Sequence, residues 1–218
     1  MVKITDMLKY KGVMHLKLNP FDLKTHDKQE VSSLIYQADP STYDILFGNK
    51  TKAIETITHL LSDTESETIF SNPHVKVIED NEALIGVVVN YTGARRQDLE
   101  NNTFRRGFKQ FGAFKTIQRF FAIRKIRRIL SVDMDLESTY ILTLSIKPEF
   151  QQRGYGEKTI NQLQKSSKTL YLHVNYKNND ARKFYEKIGF KKHQEFYDNY
   201  KKTPIGAIVL KRHQQEIR

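Results

Sequence analysis

Residues 140–148, Tyr-Ile-Leu-Thr-Leu-Ser-Ile-Lys-Pro, restrict the fold more than any other stretch of the chain. Apolar side chains fall on both alternating faces, as expected of a strand buried on both sides in the middle of a sheet that carries helices. The residues that follow, Gln151-Gln152-Arg153-Gly154-Tyr155-Gly156, place two glycines one residue apart before a helix-like segment, Glu157–Ser167. Such a strand-to-helix junction offers unpaired backbone N–H groups and the positive end of a helix dipole to an anion. Glycine there lets the backbone turn and approach a ligand with no Cβ in the way.

Two phosphate-binding signatures fail at this junction. A P-loop needs glycine directly before Lys-Ser/Thr, and Lys158-Thr159 is preceded by Glu157. A dinucleotide fingerprint needs a third glycine where Thr159 stands, and no acidic ribose partner is evident. A looser cradle made by the amides of residues 152–156 remains, and by itself it reads equally as a turn with no ligand.

The rest of the chain alternates strand and helix patterns. Residues 13–21 read as a strand, and 27–38 as a helix with Val31, Leu34, Ile35 and Ala38 at helical spacing. Residues 39–49 read as a loop and 50–61 as a second helix. The β-branched runs 75–80 and 83–91 flank Asp80-Asn81-Glu82, a hairpin signal. Strand 169–174, helix 179–189 ending at Gly189, and a terminal hairpin from 190–197 and 205–213 complete the order. The class is α/β or α+β. With 218 residues, 5 prolines and 10 glycines, no flexible linker divides the chain, and one domain over residues 1–218 is the expectation.

Charge is concentrated. Between Arg95 and Arg128 stand eleven basic residues against Asp98 and Glu100, a net +9 of the chain's +11. This segment mixes Phe104, Phe108, Phe111, Phe114, Ile117 and Phe121 with Arg and Lys at roughly helical spacing and reads as two amphipathic helices interrupted at Gly112. Its apolar stripe suits packing on a sheet or a second subunit, with solvated charges. Its polar face suits a lid on a binding site, or attraction to an acidic protein, nucleic acid or an anionic membrane.

Cysteine is absent, which excludes disulfides, thiolate metal sites and a cysteine nucleophile, and fits an intracellular protein. The first residues lack a signal-peptide stretch, and no run approaches the ~20 apolar residues of a membrane helix. The expectation is a cytoplasmic protein. The histidines show no ligand spacing, and no metal is expected.

The junction gains meaning from what surrounds it. Leu144-Ser145-Ile146-Lys147-Pro148 precedes Gln151-x-x-Gly154-x-Gly156; about twenty residues later come His173-Val174 and then Asn178-x-x-Ala181-x-x-Phe184-Tyr185-x-x-x-Gly189-Phe190. This pair of motifs, over residues 142–190, resembles the GNAT superfamily of acetyl-CoA-dependent N-acetyltransferases. The resemblance implies a mixed, mostly antiparallel sheet whose central parallel strands splay apart, flanked by helices. The basic segment, about residues 94–135, is then a long helical insertion between strands 3 and 4, where the family usually has a short connection.

The resemblance also implies roles. Acetyl-CoA is the expected co-substrate, with its pantetheine arm along the main chain of Leu144, Ser145 and Ile146. The Ile146 amide is a donor to the thioester carbonyl. The amides of Gln152, Arg153, Gly154, Tyr155 and Gly156 would hold the pyrophosphate, with Arg153 adding charge and Gln151 at a position often filled by Arg or Gln. Asn178 would contact the pantetheine arm and small Ala181 would leave it room. Tyr185 would protonate the departing thiolate.

Among bases, Glu137 lies nearest the mouth of the central strand; Asp133, Asp135, His173 and a water chain are alternatives. Asp39 and Tyr43 in the 39–48 loop, and Tyr197 and Tyr200 in the last hairpin, are candidates to contact the acceptor, a small-molecule or peptide amine. Unpaired sheet edges and the long insertion suit a homodimer. The competing expectation is a non-catalytic protein that keeps this fold as a scaffold and binds nucleic acid or an anionic membrane surface through the basic helices.

Overall fold

A computed structural model describes residues 15–109 and 122–214. Seven strands form one sheet in the order β1-β2-β3-β4-β5-β7-β6. They are β1 (Leu16–Pro20), β2 (Val75–Asp80), β3 (Ala83–Thr92), β4 (Thr139–Ile146), β5 (Thr169–Asn175), β6 (Lys191–Tyr200) and β7 (Thr203–His213). Every neighbouring pair is antiparallel except β4 and β5. That pair is parallel because the chain returns to the same end of the sheet through a helix, as parallel neighbours require. The mixed, mostly antiparallel sheet with one central parallel pair and flanking helices is the architecture expected from the sequence.

The helices are α1 (Lys28–Ala38), α2 (Pro40–Phe47), α3 (Lys50–Leu61), α4 (Gly93–Phe108), α5 (residues 122–129), α6 (Tyr155–Gln164) and α7 (Asn179–Lys187). One face of the sheet packs on a core that includes Ile35, Ile57, Leu60, Val87, Leu99 and Tyr140. The other face packs Ile85, Val88, Leu170 and Leu172 against Ile160 and Leu163 of α6, with Phe184 and Tyr185 of α7 alongside.

Two local readings change. The 39–49 loop contains helix α2. Asp39 caps it by accepting from the Thr42 amide at 3.3 Å, Pro40 occupies its first turn, and Gly48 ends it at φ 105°. Helix α6 starts at Tyr155, so Gly156 lies inside the helix and not in the turn. Gly112, the expected break in the basic segment, lies outside the described residues. The hairpin at residues 80–83 turns on Asn81 and Glu82, both at positive φ (48° and 66°).

The insertion is strapped to the body by ion pairs. Arg95 meets Glu67, and Arg106 meets both Asp63 and Glu65. Lys125 on α5 meets Asp198 of β6 at 3.0 Å, while Arg96 meets Glu100 within α4 at 2.7 Å. Part of the basic charge is therefore consumed locally, and Arg105, Arg124, Arg127 and Arg128 face solvent. Among the described residues, no helix is long and apolar enough to cross a membrane.

Candidate active site

The site begins where the parallel pair comes apart. Strands β4 and β5 pair only at Thr139–Leu170, Tyr140–Tyr171 and Ile141–Leu172. Beyond Ile141 they diverge, and the β3–β4 register shifts at the same place, between Val89 and Asn90. An extra residue in β4 at this point is a bulge, which twists and bends the strand that carries it. The bulge accounts for the splay.

The register decides which main-chain groups face the opening. The Lys147 N–H donates to the Ile85 carbonyl at 2.8 Å. Bonding alternates along an antiparallel pair, so the N–H and C=O groups of residues 143, 145 and 147 point to β3. Those of Leu144 and Ile146 point to the opening. Ser145 therefore offers its side chain but not its main chain. The Ile146 carbonyl accepts from Gln151 Nε2 at 2.8 Å, which fastens the following turn to the end of β4.

That turn carries the left-handed residues Gln152 (φ 59°) and Gly154 (φ 87°), and Gly154 caps α6. The first amides of α6 have no carbonyl one turn earlier in the helix to bond, so they point outward at the dipole's positive end. Gly156 plays a different part: a Cβ there would lie 3.1 Å from Phe184 Cζ, so its bareness lets α6 and α7 pack closely. Tyr155 buries its ring and donates from its hydroxyl to Asp80, holding that carboxyl below the usual range. The Arg153 guanidinium sits over the Phe150 ring at 5.4 Å.

A cavity of about 750 Å³ runs through the splay from one face of the sheet to the other. At one end it is lined by Leu144, Ser145, Ile146, Gln151, Asn178, Ala181 and Tyr185. Asn178 caps α7 through its Oδ1, which accepts from the Ala181 amide at 3.0 Å; its side-chain amide remains a donor. Ala181 and Tyr185 follow on the same face at helical spacing. Tyr185 packs between Phe184 and Phe190, at 5.0 and 5.4 Å between ring centres. Burial holds its hydroxyl pKa above the ordinary value, so it is fully protonated near neutral pH.

At the other end the cavity forms a chamber whose wall includes Phe47 of α2, Phe104 of α4, Ile126 of α5, Leu130 just after α5, and Phe70 in the turn before β2. Asp39 and Tyr43, expected near an acceptor, are on this wall. A buried polar network borders it. The Tyr140 hydroxyl donates to His173 Nδ1 at 2.7 Å, and His173 Nε2 donates to the Ser131 carbonyl at 3.1 Å. The carbonyl can only accept, so the proton of neutral His173 sits on Nε2. Burial, with the Arg96 charge second, pushes the His173 pKa down to about 3. The ring is therefore neutral, and its only acceptor nitrogen is occupied.

Other candidates lie apart from the cavity. Glu137, Asp133 and Asp135 are exposed and do not line it. Neither do Tyr197 and Tyr200; the Tyr197 hydroxyl donates to Glu195 at 3.0 Å. The turn residues 152–156 adjoin the cavity without lining it. Glu100, Thr103, Phe104, Ile126 and Leu130 form the chamber and were not singled out as site residues. Phe104 carried a signal, since it belongs to the apolar stripe of the basic segment. The rest depend on contacts far apart in sequence.

Comparisons with known proteins agree with this fold. Residues 125–198 match the family model described as FR47-like protein. The chain is 37% identical over 71 residues to N-alpha-acetyltransferase 60 of Danio rerio, a match covering 29% of this chain and 29% of that protein. It is 35% identical over 77 residues to [Ribosomal protein bS18]-alanine N-acetyltransferase of Haemophilus ducreyi, covering 33% of this chain and 52% of that enzyme. The chain thus spans about half or less of the curated relatives it matches. By structure, it superposes on an N-acetyltransferase from Staphylococcus aureus Mu50 with a TM-score of 0.64, at 16% identity, covering 89% of this chain and 99% of the other.

Proposed function

We propose that this chain, a protein of the GNAT fold with an FR47-like segment, transfers the acetyl group of acetyl-CoA to a primary amine. The observation that carries the reading is the splay of β4 from β5, with a left-handed turn capping α6 on one side and a largely apolar chamber on the other. The two curated relatives are named for N-acetyl transfer, to an α-amine and to an alanine of a ribosomal protein, and both names describe amine acceptors.

In this reading acetyl-CoA supplies an activated thioester. The outward amides of residues 152–156 and the Arg153 charge hold its pyrophosphate. The main chain of Leu144 and Ile146, with the Asn178 side-chain amide, positions the pantetheine arm in the splay. The Ile146 N–H donates to the thioester carbonyl, where negative charge grows as the amine attacks; one such donor is worth roughly 3 kcal/mol. Tyr185, protonated near neutral pH, gives its proton to the departing thiolate. The apolar chamber favours the neutral, nucleophilic form of the amine. The proton that the amine nitrogen loses on forming the amide restores the Tyr185 phenol, so the proton count closes over one turnover with no further acid or base, and Glu137, on the outside, has no step.

A mass-spectrometric screen of amines incubated with the protein and acetyl-CoA tests the reading. Enzyme-dependent gain of one acetyl group on at least one amine class supports it, and no gain on any class contradicts it.

A further inference from the structure

We infer that the acceptor amine carries a bulky apolar body, aliphatic or aromatic, and no second cationic group; this rests on the acetyl-transfer reading above and narrows it. The chamber beyond the splay is walled by Leu46, Phe47, Phe70, Phe104, Ile126 and Leu130. Phe104 and Leu130 keep part of their apolar surface accessible, while Leu46, Phe47, Phe70 and Ile126 are buried in the main core and fix the wall's position. Surfaces of this kind favour apolar groups in proportion to the area they cover.

The charges around the cavity exclude a polycation. Among the described residues, Asp39 and Glu100 are its carboxylates and Arg127 and Lys177 its cations, so negative charge is not in excess. Glu100 is paired with a cation, and Asp39 accepts from neutral donors. Glu100 Oε1 accepts from Arg96 Nε at 2.7 Å and from the Tyr91 hydroxyl at 3.4 Å. Asp39 Oδ1 accepts from Ser41 Oγ at 2.7 Å and from the Thr42 amide at 3.3 Å. A second ammonium entering the chamber would lose its water and find only Asp39, among the described lining residues, without a cationic partner, against the like charges of Arg127 and Lys177, which disfavours it. The reacting nitrogen enters as the neutral amine, the form that attacks.

The specificity wall belongs to the insertion. Phe104 and Glu100 come from α4, and Ile126 and Arg127 from α5, so these two helices between β3 and β4 supply part of the wall at the acceptor end of the cavity.

Calorimetric titration of the full chain in the presence of CoA tests the inference, with 2-phenylethylamine and leucine amide set against 1,4-diaminobutane and lysine amide. The expected result is binding of the apolar-bodied amines roughly tenfold to a hundredfold tighter than their dicationic counterparts. Ile126→Trp, which fills the chamber, should remove 2-phenylethylamine binding and leave acetyl-CoA affinity unchanged. Ile126→Ala, which enlarges it without overpacking, should improve binding of a naphthyl-substituted ethylamine relative to 2-phenylethylamine. Equal or tighter binding of 1,4-diaminobutane or lysine amide overturns the inference. So does absence of binding by either apolar amine, or amine affinities that neither variant moves. Acetyl-CoA binding that persists beside the wrong selectivity overturns the inference alone. Loss of acetyl-CoA binding in the unsubstituted chain overturns the acetyl-transfer reading, and the amine titrations still report on the chamber by themselves.

Discussion

The Tyr140 hydroxyl donates to His173 Nδ1 across 2.7 Å, joining the two parallel strands just where their pairing ends. The bond fills the only acceptor nitrogen of a ring whose other nitrogen donates to the Ser131 carbonyl. His173 thereby supports the wall of the splay and the segment leading into β4, and it is a poor base.

This environment sets a pH dependence of stability. The folded-state pKa of His173 is about 3, below the ordinary value of roughly 6.5 for an unfolded chain. Between those values the unfolded chain binds a proton that the folded chain does not, so stability rises with pH across that window and is complete above it. His173→Gln should reduce the acid-side slope by one proton. Denaturant unfolding of both proteins from pH 4 to 7.5 measures the difference, and equal slopes would contradict the neutral, buried assignment.

Tyr185→Phe keeps the ring that packs against Phe184 and Phe190 and removes only the hydroxyl. If that hydroxyl protonates the thiolate, kcat should fall by roughly 100-fold or more with acetyl-CoA affinity unchanged. Turnover equal to the unsubstituted enzyme at every pH would remove Tyr185 from the mechanism.

Gly154 holds φ 87° at the cap of α6. A Cβ in the left-handed region costs about 1–2 kcal/mol, so Gly154→Ala should lower stability by that amount. Because the strain falls on the amides assigned to the pyrophosphate, affinity for CoA should fall more than affinity for the amine. Calorimetry with each ligand separates the two.

Gly86 faces β4 across the sheet, and a Cβ there would lie 2.4 Å from the Ser145 carbonyl oxygen. Neither strand can yield without moving the segment that lines the splay. Gly86→Ala should destabilise the protein by roughly 1–3 kcal/mol and weaken acetyl-CoA binding. Thermal unfolding and titration of the variant check both effects.

The sheet was legible because its signals are local. The run at 140–148 is apolar on both faces, and the central position of β4 followed directly. Helix α2 was missed although Asp39, Pro40 and Gly48 carry its start and stop signals; the same residue types also mark turns, and eight residues give little periodicity to decide between them. The last hairpin turns on Lys201 and Lys202 at positive φ, where no glycine or asparagine announces a turn. Leu144, Ile146, Asn178 and Tyr185, proposed for the cofactor, fall within one continuous stretch and line the same end of the cavity. The packing constraint on Gly156 was not legible, because it comes from Phe184, twenty-eight residues away. The chamber was the least legible part: Phe70, Phe104 and Ile126 come from three separate segments, and nothing in their spacing shows that they share a wall.

Titration of the purified chain with acetyl-CoA by isothermal calorimetry tests the central claim most directly. The account predicts saturable binding at one site per chain, weakened by Gly154→Ala and unchanged by Tyr185→Phe. Absence of a saturable heat at acetyl-CoA concentrations that fill an ordinary enzyme site would contradict it.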